Sequence, residues 1–146
     1  MRLWRTWLLC LAAMGFLACL VGGCGRGDSS GRASVEGKVT LDGNPIERGS
    51  ISFYPYGQTR GMVAGGVIEQ GRYSIPADQG PVIGQNRVEI RAPKKTGKKI
   101  PDPYGKPGQM IDEIAEAVPE QYNVKSTLVR EVKAGRNILD FDLRTQ

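Results

Sequence analysis

The sequence contains no histidine, and this absence removes more chemistry than any residue present supplies. Ser-His-Asp and Cys-His catalysis both need an imidazole base, so neither is expected. Both tryptophans, Trp4 and Trp7, lie in the first seven residues. The remaining chain therefore lacks the flattest platform for stacking on a sugar. All three cysteines, Cys10, Cys19 and Cys24, also sit near the start. No disulfide is expected beyond residue 24, and the Cys and His ligands of structural zinc are missing there. Apolar runs are short as well. The longest, Leu8 to Val21, has 14 residues, against the roughly 20 needed to span a bilayer as a helix.

That run follows Arg2 and Arg5 and leads into small residues, the layout of a secretory signal: basic start, apolar centre, small cleavage site. Val21-Gly22-Gly23-Cys24 resembles the bacterial lipobox, an aliphatic residue and two small ones before a cysteine. The resemblance implies cleavage before Cys24, a diacylglycerol thioether on its thiol and an acylated new amine. Cys10 and Cys19 would leave with the signal, so the mature chain would hold no free thiol. The following residues are rich in Gly, Ser and charge and suit a flexible tether, about 17 Å in r.m.s. reach for ten residues. The expected organisation is a signal over 1–23, a tether with lipidated Cys24 over 24–34, and one domain over 35–146. By the same resemblance, Gly25 after the cysteine implies the outer membrane or periplasmic face of the envelope rather than the cytoplasmic membrane. The formal charge of +5 falls to about +3 without Arg2 and Arg5, a mild bias that gives no reason to expect nucleic acid.

From Val35 the pattern becomes short alternating runs between turns. Val35–Leu41, Gly49–Tyr54, Met62–Glu69, Arg72–Ile75, Asn86–Ala92, Thr127–Val132 and Asn137–Leu143 read as seven strands. Asp42-Gly43-Asn44-Pro45 and Gln70-Gly71 read as turns, and Lys133-Ala134-Gly135-Arg136 reads as the turn of a hairpin joining the last two strands. Gly65-Gly66 marks a bulge or a close approach. The expected core is Val39, Leu41, Ile51, Phe53, Ile75, Val88, Ile90, Leu128, Val132 and Phe141. Between the fifth and sixth runs lies an insert, Pro93 to Tyr122. Its first half carries too much Pro, Gly and Lys for regular structure. In its second half, Met110, Ile111, Ile114 and Ala115 have helical spacing, so a short helix is expected, with Ile111 and Ile114 capping an open end of the fold.

"VEGKVTLDGNPIERGSISFYP", "GRYSI", "VEI" and "VPEQYNVKSTLVREVKAGRNILDFDL" resemble small planctomycete-type lipoproteins with a transthyretin-like, carboxypeptidase-regulatory-like domain. The resemblance spans Val35 to Leu143. It implies an all-β, seven-stranded prealbumin-like β-sandwich with one short helix in an insert loop. It implies location and fold but no activity. The related hydroxyisourate hydrolases depend on histidines and a terminal Y-R-G-S; this sequence has no histidine and reads Leu143-Arg144-Thr145-Gln146 there. No catalytic residue, cofactor or metal is therefore expected.

Three groups remain as candidates. Asp112, Glu113, Glu116 and Glu120, with Asp140 and Asp142, could in principle cleave a glycoside or hold calcium, but the known calcium-loop spacing is missing and solvated faces account for them. Lys94, Lys95, Lys98 and Lys99 are the densest basic run, suited either to a solvated loop or to contact with an anionic partner, headgroups or a wall polymer. Nucleic-acid modules interleave aromatics with such a run, and here Tyr104 alone is close. Tyr54 and Tyr56 share a face opposite Phe53 and suit edge packing or a modest sugar contact. The expected function is a non-enzymatic structural or interaction module, lipid-anchored at the cell envelope, with an envelope protein or polysaccharide as partner. The alternative is a glycan- or peptide-binding module that delivers a ligand to an envelope partner.

Overall fold

The computed structural model describes residues 31–145. The signal, the lipobox Val21-Gly22-Gly23, Cys24 and most of the tether lie outside the described residues. The chain is already packed at Ala33, which is buried, and Arg32 bridges Val82, so the domain begins slightly ahead of Val35.

The described residues form an all-β domain of mainly antiparallel strands in one strongly curled sheet, plus a two-stranded hairpin. The strands are β1 (Ser34–Leu41), β2 (Asn44–Pro45), β3 (Arg48–Pro55), β4 (Ala64–Glu69), β5 (Arg72–Ile75), β6 (Gly84–Arg91), β7 (Pro93–Pro101), β8 (Met110–Glu116), β9 (Val129–Val132), β10 (Arg136–Ile138) and β11 (Phe141–Leu143). The curled sheet has the order β10-β1-β5-β4-β3-β6-β9, with β11 and β2 also on β1. β9 and β10 stand at opposite edges of that order, yet only residues 133–135 separate them. A link that short spans at most roughly 14 Å, so the sheet must curl until its two edges meet.

The alternation sets the packing. Val35 and Val39 of β1, Ile51 and Phe53 of β3, Ile68 of β4, Tyr73 and Ile75 of β5, and Val88 and Ile90 of β6 point inward and are buried, with Val132 and Phe141. Phe53 and Phe141 each lie 6.3 Å from the Tyr73 ring, which joins the two sides of the curl. Eight of the ten expected core residues are buried; Leu41 and Leu128 are half-buried at the margin. The β3–β4 register is unbroken through Gly65 and Gly66, so these glycines mark a close approach and not a bulge.

Four expectations are corrected. The expected hairpin across Lys133–Arg136 is absent: β9 pairs with β6, while β10 and β11 run parallel to β1. The turn chemistry is real, with Gly135 at φ 88°, but it carries the chain between edges. The Asn137 side chain fixes it there, accepting the Lys133 N–H at 2.9 Å and donating to the Ser34 carbonyl at 3.2 Å. The short helix expected around Met110–Ala115 is strand β8, and the half thought too irregular for structure is strand β7. An isolated helix of two turns is marginal in water, whereas β7 offers β8 a ladder from Pro93↔Glu116 to Pro101↔Met110. Both prolines sit at the ends of β7, where an edge strand tolerates them. Gly97, at φ 84°, lies in the bulge between Lys95 and Lys99. Among the described residues the one helical element is a 3-10 turn at Glu120–Tyr122, and no helix is long and apolar enough to cross a membrane. Lastly, Ile111 and Ile114 cap nothing: they are 37% and 63% exposed.

Candidate functional site

β1 and β6 run in the same direction, because three antiparallel steps and the β1–β5 step separate them in the sheet. Their starts lie together, where Arg32 bridges Val82. Their ends lie together too, where Leu41, Ala92, Lys94 and Ala117 line a cleft of about 500 Å³. The β7–β8 hairpin leaves from this second end. Eight residues of β6, roughly 26 Å at strand rise, separate it from the place where the chain enters the domain.

A single carboxylate holds the hairpin base. Glu116 Oε1 accepts the Ala92 N–H at 2.7 Å and the Val118 N–H at 3.1 Å, so it ties the outgoing and returning strands to the sheet. Farther out the side chains sort by face, since cross-strand partners share one. Lys95, Lys99, Pro101, Met110, Asp112 and Ile114 lie on one side. Lys94, Ile100, Ile111 and Ala115 lie on the other. Neither side packs on the core: every residue of β7 is exposed, and Ile100, Met110, Ile111 and Ile114 are all at least 37% exposed. Tyr104, in the connection between the strands, is 98% exposed.

The four lysines do not act together. Lys95 and Lys99 each place Nζ 2.6 Å from an oxygen of Asp112. Their ammonium groups lower the Asp112 carboxyl to about 2, and Asp112 in turn raises Lys95. Lys94 and Lys98 have no ion pair among the described residues. Between Pro93 and Glu116 five lysines face four acids, so the hairpin carries a net charge of about +1. The basic character read along the sequence is largely cancelled in space.

The carboxylates are dispersed in the same way. Asp112 serves two lysines, Glu113 accepts the Thr96 hydroxyl at 2.6 Å, and Glu120 pairs with Lys125. Asp140 accepts the Lys38 N–H at 2.7 Å and Asp142 accepts the Thr40 hydroxyl at 2.8 Å. Among the described residues no three of His, Cys, Asp and Glu converge as metal ligands. Tyr54 stacks against Arg87, whose guanidinium carbon lies 4.8 Å from the ring centroid, and Tyr56 is 48% exposed.

Sequence reasoning missed the role of Glu116 and the strand faces of the hairpin. The signal was present: in "MIDEIAE" one face of a strand reads Met110, Asp112, Ile114, Glu116. A comparison of the chain with known protein families, curated proteins and solved structures finds no match in any of the three.

Proposed function

We propose that the protein is a non-enzymatic interaction module, exported and held at the cell envelope by lipid on Cys24, which presents the β7–β8 hairpin to an envelope protein. The observation that carries this reading is the hairpin itself: two strands with apolar residues open on both faces, standing off a complete core. Unpartnered apolar surface of this kind marks a contact site. Its position supports a partner over the anchoring bilayer, because the hairpin leaves the end of the sheet opposite the tether. The near-neutral charge favours an apolar contact over a polyanion, and Lys94 and Lys98 supply charge at its margin.

The prealbumin-like β-sandwich belongs to the same proposal. β4-β3-β6-β9 and β5-β1-β10 behave as two leaves, joined in the ladder by the single pair Glu69↔Arg72. Their apolar faces meet through Phe53, Tyr73 and Phe141. Two leaves with a common core are the arrangement of a sandwich.

The test is site-specific photo-crosslinking in cells producing the full chain. A photoreactive residue at Tyr104 or Ile114 is expected to capture one envelope protein. The same residue at Gln85, exposed near the tethered end, is expected to capture none. Cys24→Ala should leave uncleaved precursor without fatty-acid label and lose the adduct. Adducts of equal yield from Gln85, or none from the hairpin, would rule the contact out; equal labelling of Cys24→Ala would rule the anchor out.

A further inference from the structure

We infer that the hairpin binds by strand addition: the outer edge of β8 takes an extended segment of the envelope partner, apolar with a basic residue at its centre, as a third strand. The inference rests on the reading of the hairpin as the contact element and names how the contact is made.

Ladder geometry decides which backbone groups face outward. In an antiparallel pair a residue turns its N–H and C=O toward the partner strand, and the next residue turns them away. At the tip the Asp102 N–H donates to the Gln109 carbonyl at 2.9 Å, and at the base the Ala117 N–H donates to the Ala92 carbonyl at 3.0 Å. Counted from either end, Ile111, Glu113 and Ala115 address β7. Met110, Asp112 and Ile114 turn their N–H and C=O away from it, and β8 pairs with no other strand among the described residues. On β7 the outward set is Pro93, Lys95, Lys99 and Pro101.

The two edges are built differently. Pro93 and Pro101 have no N–H to offer, and the bulge at Gly97 breaks the spacing between Lys95 and Lys99. Proline, lysine and a bulge are devices that keep an edge strand from pairing. β8 has none of them, since Met110–Glu116 holds no proline, glycine or basic residue. Unpaired donors and acceptors at strand spacing form a template for another strand. The hairpin stands clear of the core, so a strand seated about 4.8 Å beyond β8 has room.

The side chains name the occupant. An added strand lies beside both faces of β8. Met110 and Ile114 on one face and Ile111 on the other are 49%, 63% and 37% exposed and offer it apolar neighbours. Asp112 is already held by Lys95 and Lys99. Glu113, which shares the face of Ile111, accepts the Thr96 hydroxyl and has no ion pair among the described residues. It is half-buried, so a lysine or arginine on the incoming strand is its complement. A second copy of β8 is a poorer occupant. The antiparallel register that overlaps all of Met110–Glu116 sets Glu113 opposite Glu113, and like charges directly opposite destabilise a pair.

The probe is a synthetic nonapeptide with one central lysine and valine or isoleucine at alternate positions on either side. It is added at up to about 1 mM to the full chain in detergent. Amide hydrogen exchange followed by NMR is expected to slow about tenfold at Met110, Asp112 and Ile114, whose N–H groups gain an acceptor, and to stay unchanged at Lys95 and Lys99. Ile114→Pro removes one outward N–H and leaves the β7 ladder intact. It is expected to weaken the peptide about tenfold, the scale of one or two lost hydrogen bonds. Ile114→Thr, which keeps that N–H, and Lys95→Pro on the other edge are expected to weaken it less than about threefold. No protection at about 1 mM peptide, equal protection of Lys95 and Lys99, or equal weakening by Ile114→Pro and Ile114→Thr overturns the proposal. Protection of the β8 amides that rises with protein concentration without peptide also overturns it and gives the edge to a second copy. Should Ile114→Pro fail to fold, the exchange pattern on the unaltered chain decides. The photo-crosslinks test the contact separately. An adduct from Tyr104 of equal yield with Ile114→Pro removes only the added strand, whereas absent adducts with the exchange pattern intact remove only the contact in cells.

Discussion

A single missing side chain at Gly37 shows how closely the strands meet. A Cβ there would lie 2.0 Å from the Leu139 carbonyl oxygen, the same oxygen that accepts the Tyr73 hydroxyl at 2.7 Å. Tyr73 holds the chain between β10 and β11 over Gly37, and burial, with the Asp140 charge, pushes its own ionisation upward. Gly37→Ala is therefore expected to cost at least about 2 kcal/mol, in the range of overpacked cores, read as a lower urea midpoint with an unchanged slope. An unaltered midpoint would mean that Leu139 moves aside freely. The Lys95–Asp112–Lys99 group allows a second prediction. Its carboxyl is held near 2, below the ordinary 3.8, by hydrogen bonds from Lys95 and then Lys99. The folded value is the depressed one, so any contribution of the group to the hairpin is complete above the unfolded value. It is lost as pH falls from about 4 through 2. Carbon-detected NMR should place the Asp112 midpoint near 2 at low salt, and high salt should move it upward because the group is exposed. A midpoint in the ordinary carboxylate range would show that the lysines do not hold it.

At the scale of elements, the hairpin and the sheet have separate energetics. No residue of β7 or β8 belongs to the buried core, and Glu116 at the base supplies the bonds that tie Ala92 and Val118. Replacing 94–115 with Asn-Gly would keep the closing pair Pro93↔Glu116 and supply the preferred two-residue turn. The loss expected is below about 1 kcal/mol, or roughly 4 °C in Tm. Unfolding of the shortened chain would show that the hairpin is structural, against its proposed role as a contact element. The same element shows the limits of sequence patterning. Met110, Ile111, Ile114 and Ala115 fit a helical stripe as well as they fit a strand, and a helix needs a surface to bury its stripe against. None is offered there, so the backbone ladder with β7 wins.

Across the whole molecule the curl of the sheet governs stability. Phe53 is fully buried and meets Tyr73 across the fold at 6.3 Å, so it touches both sides of the curl. Phe53→Ala is expected to cost roughly 3–5 kcal/mol, a large share of the stability of a domain this size, measured by urea unfolding followed by circular dichroism. A cost under about 1 kcal/mol would place the two sides of the sheet out of contact. The spectrum should show strand with almost no helix.

The sequence by itself determined the all-β class, most strand positions and most of the core. Alternation has period two whatever the partner, so Val35–Leu41 or Asn86–Ala92 declares its inward face locally. It also named the lysines and carboxylates, and left open what they meet. The tertiary structure decided the pairings. Lys133–Arg136 is a turn in either arrangement, and only the free edge of β1 and the grip of Asn137 send it across the curl. Asp112 lies 13 or more positions from the lysines that neutralise it, and the β7–β8 register brings them together.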